Sequence, residues 1–124
     1  MGIFAILIVK SVNIVYIYML DPSYVPPYVV SKSPIHGRGI FANRDLKKNE
    51  DIGLGISFYA GIWPYVTEQP GSLVNHSYKP NTYLRWQDNG WHIRTSKSIP
   101  KDTELTLNYS NTPWYIQGPL PHYI

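Results

Sequence analysis

Three short stretches hold the residues whose types and spacing could do chemistry. The first is Leu73-Val74-Asn75-His76-Ser77-Tyr78-Lys79-Pro80-Asn81. Its apolar pair reads as the end of a buried element. The polar remainder is turn-like, because Asn, Ser and Pro favour turns. Such a segment can aim backbone N–H and C=O groups at a ligand instead of at a sheet ladder. Taken alone, it fits an ordinary surface loop with one histidine better. The second stretch is SPIHGRGIFA at 33–42, where Gly37 and Gly39 flank Arg38. Two glycines allow a tight turn whose backbone approaches a ligand closely. A lone Gly-x-Gly is also an ordinary hairpin tip. The third stretch runs from Glu104 to Tyr109. A tyrosine closing a strand commonly packs in the core. His36, His76, His92 and His122 are scattered, with no carboxylate at ligand spacing and no cysteine in the chain, so no metal site is expected.

The elements that must position these residues are mostly short strands. Eleven tyrosines, four tryptophans and eleven prolines favour strands, turns and aromatic-lined grooves over helices. DPSYVPP at 21–27 is an extended linker. Tyr28-Val29-Val30 and Ile40-Phe41-Ala42 read as strands on either side of the Gly-x-Gly turn. Residues 43–50 are polar and turn-like. Residues 52–67 carry no charge and alternate only partly, and Gly53, Gly55 and Gly61 predict bulges. Thr82–Trp86 and Trp91–Thr95 alternate around Asp88-Asn89-Gly90, which predicts a hairpin. Glu104–Tyr109 reads as another strand. The tail at 116–124, rich in Pro and aromatics, is expected to fold back over a groove.

Residues 3–20, at the apolar N-terminus, fit four readings: a spurious upstream extension with the working chain starting at Met19, a membrane anchor, a pair of edge strands, or a secretory signal. Lys10 and Asn13 make membrane insertion costly, and no basic n-region or small-residue cleavage site supports a signal. The remaining length suits one domain. Eleven Lys/Arg against eight Asp/Glu gives a net charge of +3. That is mildly basic and leans toward an acidic or nucleic-acid-associated partner without requiring one. The basic residues form no continuous run, and no direct nucleic-acid binding is predicted.

The three stretches, in this order, resemble the motifs of the SET-domain protein methyltransferases. SPIHGRGIFA is similar to that family's first motif, LVNHSYKPN to its Asn-His-Ser motif, and IPKDTELTLNY to its Glu-Leu-Thr…Tyr motif. The likeness covers about residues 28–115 and is nearest to the very short single-domain members of large DNA viruses. Tyr78 stands where the family usually has Cys, Asp102 where Gly is usual, and Leu107-Asn108 replace a frequent Phe-Asp. The insert between the first two motifs, which normally shapes the peptide groove, is short.

The resemblance implies a mostly β fold of small curved sheets with a pseudoknot near the C-terminus. It implies methyl transfer from S-adenosylmethionine to a lysine of a protein, with histone tails a common target. Tyr109 then corresponds to the catalytic tyrosine. The backbone from Ile35 through His36, Gly37 and Arg38 to Gly39 would cup the cofactor, with Asn75, His76 and Trp114. Leu107 and Tyr109 would border the lysine channel. The absence of cysteine is compatible with a reducing, intracellular setting, and the resemblance is compatible with a nuclear or host-nuclear one and with a homodimer. A catalytically silent SET-like module that binds a peptide or protein is the alternative.

Overall fold

A computed structural model describes residues 23–113, 115 and 116. Among the described residues strands dominate, in three small sheets. Strands β1 (Tyr28–Lys32) and β2 (Arg38–Ala42) form an antiparallel pair running from Tyr28 opposite Ala42 to Lys32 opposite Arg38. The loop between them is closed by the Ser33 N–H donating to the Gly37 carbonyl at 2.8 Å. Gly37 takes φ of 48° there, a left-handed conformation that glycine adopts without steric cost.

The largest sheet orders its strands β4-β3-β7-β6, with β3 at Asp51–Tyr59, β4 at Trp63–Val66, β6 at Thr82–Gln87 and β7 at Gly90–Thr95. The β6–β7 hairpin forms as its sequence predicts. Asp88 and Asn89 make the two-residue loop, with φ of 52° and 61°. Two positive values in succession match the right-handed twist of the flanking strands. Strand β3 slips register against β7 between Asp51 and Gly53 and between Leu54 and Ile56, so Gly53 and Gly55 do lie at bulges. Gly61 does not. It sits with Ala60 in the turn of a β3–β4 hairpin, where the φ values are 73° and 53°.

The third sheet is a parallel pair, β5 (Asn75–His76) with β8 (Thr106–Leu107). The strand expected over Glu104–Tyr109 is thus only two residues long. Its backbone finds other partners. The Leu105 N–H donates to the Ile40 carbonyl at 2.8 Å. The Asn81 amide accepts from the Thr106 N–H and donates to the Glu104 carbonyl, both at 2.9 Å, and so imitates a neighbouring strand. Beyond Asn108, residues Tyr109–Asn111 turn into a 3-10 helix capped by the Asn108 side chain, which accepts from the Ser110 N–H.

Ile40, Ile93 and Leu105 are fully buried and join β2, β7 and the segment before β8 in one core with Leu46, Ile52 and Val74. Fully burying one such side chain is worth about 1.5–3 kcal/mol. Among the described residues no helix is long and apolar enough to cross a membrane. The segment 3–20 and most of the tail lie outside the described residues.

Candidate functional site

The three motifs meet at the parallel pair. Asn75 and His76 of β5 lie beside Thr106 and Leu107 of β8, and the β1–β2 turn folds against both. The buried Asn75 amide donates to the His36 carbonyl at 3.1 Å, the Arg38 carbonyl at 3.2 Å and the Glu104 carboxylate at 3.0 Å. One side chain therefore ties the turn of the first motif to the third motif. Glu104 also accepts from the Ser33 hydroxyl, at 2.9 and 2.8 Å to its two oxygens. Ser33 in turn accepts from the Ile35 N–H at 2.9 Å. Gly39 is needed for a reason different from Gly37. A Cβ there would stand 2.4 Å from Glu104 Oε2 and 3.0 Å from Asn75 Nδ2.

His76 is fully buried. Its Nδ1 accepts from the Tyr109 N–H at 3.0 Å, which fixes the neutral ring with its proton on Nε2. Burial lowers its pKa, because desolvation disfavours the charged ring, while a hydrogen bond with the Leu107 backbone acts in the opposite sense. The histidine thus fixes the position of the Tyr109 backbone. The Tyr109 hydroxyl donates to the Val74 carbonyl at 2.5 Å, so the ring is anchored at both ends to the second motif. With its hydrogen directed at Val74, the phenol oxygen can meet any other group only as an acceptor.

Tyr109 and Leu107 line a cavity of about 430 Å³ that continues along β4 past Tyr65 and Val66. Its far wall includes Tyr115, whose hydroxyl accepts from Trp91 Nε1 at 2.8 Å and whose ring leans on Phe58. Leu107 also borders a second, smaller cavity with Thr82 and Asn108.

The structure therefore brings Ile35, His36, Gly37, Arg38, Gly39, Asn75, His76, Leu107 and Tyr109 to one region. The His36, Gly37 and Arg38 side of the turn is exposed. Trp114 lies outside the described residues. Sequence reasoning assigned no role to Ser33, Glu104, Asn81 or Tyr115. Glu104 was within a recognised motif, and that was its only signal. Among the described residues no cluster of His, Asp or Glu could hold a metal ion.

The family model for the SET domain matches residues 55–110. No curated protein matches the chain. Among solved structures, the crystal structure of a Plasmodium falciparum protein titled a candidate histone methyltransferase is similar at 25% identity, with a TM-score of 0.57. The match covers 73% of this chain and 99% of that one. These findings support the SET-domain family, and the small sheets with almost no helix among the described residues are those of the SET-domain fold.

The residues present also fit the methyl donor that this fold implies. S-Adenosylmethionine carries a sulfonium, an ammonium and a carboxylate. The His36 and Arg38 carbonyls and the Glu104 carboxylate are engaged by Asn75, and these bonds shape the turn. That turn carries two exposed cations suited to a carboxylate, Lys32 and Arg38, directly opposite each other in the β1–β2 register.

Proposed function

We propose that this chain is a protein-lysine methyltransferase using S-adenosylmethionine, with a lysine side chain of a protein, such as a histone, as acceptor. The match to the SET domain and the likeness to the Plasmodium protein support the class. The observation that carries the mechanism is the Tyr109 hydroxyl, which donates to the Val74 carbonyl beside a cavity lined by Leu107 and Tyr109. A neutral lysine amine can donate an N–H to that phenol oxygen and keep its lone pair free. Orientation of this kind is what a displacement at carbon needs, since it requires alignment and a dry site more than acid–base groups. The cavity wall favours the neutral amine, because free lysine has a pKa of about 10.4 and an apolar environment lowers it.

S-Adenosylmethionine supplies the electrophilic methyl group. The Ile35–Gly39 backbone, Asn75 and His76 would hold it, with Glu104 and Ser33 keeping the turn in place. An intracellular, nuclear or host-nuclear setting and a likeness to the short viral members belong to the same reading and rest on the motif resemblance alone. Calorimetric titration of S-adenosylmethionine and radiolabelled methyl transfer onto core histones and a mixed lysate test it. A folded chain that binds no cofactor would instead be the silent peptide-binding module.

A further inference from the structure

We infer that the cavity beside Tyr109 favours a target lysine flanked by apolar residues over one flanked by Arg or Lys. The inference rests on the methyltransferase reading and names its substrate class. Among the described residues, none that lines the 430 Å³ cavity is Asp, Glu, Lys or Arg. Its nearest acid in sequence, Glu68, is exposed in the turn beyond β4 and does not line it.

The surface that continues from this cavity is equally uncharged. Residues 52–67 carry no charge. At the β3–β4 hairpin, Tyr59, Ile62, Trp63, Tyr65 and Val66 are all exposed, from 43% at Val66 to 72% at Tyr59. Scattered exposed apolar residues are ordinary, but five within eight positions of one hairpin make a patch concentrated in the sequence. Tyr65 and Val66 belong both to this patch and to the wall of the cavity that Tyr109 lines, so the patch and the reacting centre are continuous.

A peptide whose lysine reaches Tyr109 must lay its neighbouring residues along this surface. Apolar neighbours would remove it from water, which is favourable. Arg or Lys neighbours would lose hydration against a wall with no carboxylate to pair them, which is not. The occupant that fits is an extended segment with Leu, Ile, Val or Phe around the lysine.

The test uses the full chain and two fluorescent peptides of equal length, each with a central lysine. One has apolar flanks and the other Arg/Lys flanks. Binding is read by anisotropy, and methyl transfer by mass spectrometry. The apolar-flanked peptide should bind at least about tenfold more tightly. Val66→Glu, or Tyr65→Glu should the first fail to fold, should reverse the order by adding a carboxylate to the wall. Equal or tighter binding of the basic peptide to the wild-type chain overturns the inference, as does an unchanged preference in the folded variant. Cofactor titration is scored separately. Loss of cofactor binding with the apolar preference intact overturns the methyltransferase reading alone.

Discussion

Replacing Tyr109 by Phe separates the two tasks that the structure gives its hydroxyl. The hydroxyl donates to the Val74 carbonyl at 2.5 Å, and Val74 is buried. Removing the donor deprives a buried carbonyl of a partner, which costs about 1–3 kcal/mol of stability. For a domain near this size, each 1 kcal/mol lowers Tm by about 4–8 °C. The same change removes the acceptor that would orient the amine. A tenfold loss of rate corresponds to about 1.4 kcal/mol of transition-state stabilisation, and at least that loss is expected. The His76–Tyr109 backbone bond does not involve the hydroxyl and should persist. Cofactor affinity should therefore stay near wild type. The assay is single-turnover methyl transfer at saturating cofactor, well below the lowered Tm, alongside a thermal melt. A variant that melts early but transfers methyl at the wild-type rate would confine the hydroxyl to a structural role and refute its part in orientation.

Glu104→Gln should weaken S-adenosylmethionine binding about five- to tenfold in calorimetry, because Ser33 and Asn75 both donate to the carboxylate and an amide offers them only one acceptor oxygen; wild-type affinity would mean the turn holds its shape unaided. Gly39→Ala should cost about 1–3 kcal/mol in denaturant unfolding and also weaken cofactor binding, since its Cβ would meet Glu104 Oε2 at 2.4 Å; an unaltered midpoint would show that Glu104 can move aside. Burial lowers the pKa of His76, so below about pH 6.5 the unfolded chain takes up a proton that the folded chain refuses. The His76 contribution to stability is therefore complete above that pH and falls as pH drops toward the lowered folded value; His76→Gln should flatten this part of the profile, and an unchanged slope would assign it to other groups. Leu107 has no hydroxyl to hold a water beside the amine, so di- and trimethyl products are expected; Leu107→Tyr should shift them toward monomethyl-lysine in mass spectrometry, and a wild-type chain that stops at one methyl with excess cofactor would place the limit on another wall.

What the sequence by itself determined was local. Alternation around Asp88-Asn89-Gly90 specifies the β6–β7 hairpin, since a two-residue loop with two positive φ values selects such residues. The spacing of Gly37 and Gly39 specifies the turn, and the resemblance of three ordered motifs pointed to the fold. The β3–β4 hairpin was not legible, because Ala60-Gly61-Ile62 has no strong turn signature and Gly61 read as a bulge.

Only the tertiary structure decided how the motifs act on one another. Ser33 and Glu104 are 71 positions apart, and Asn75 and His36 are 39 apart. No periodicity or propensity records such pairs, because they depend on which surfaces the core brings together. The same holds for Asn81, whose amide takes the place of a strand for Glu104 and Thr106 and shortens β8 to two residues. Gly39 was legible as a glycine, but its reason was not. Its backbone needs no left-handed conformation; the Glu104 carboxylate occupies the space a side chain would need. The uncharged run at 52–67 was visible in the sequence. That it lines the approach to Tyr109 depended on folding β4 and Tyr115 around one cavity.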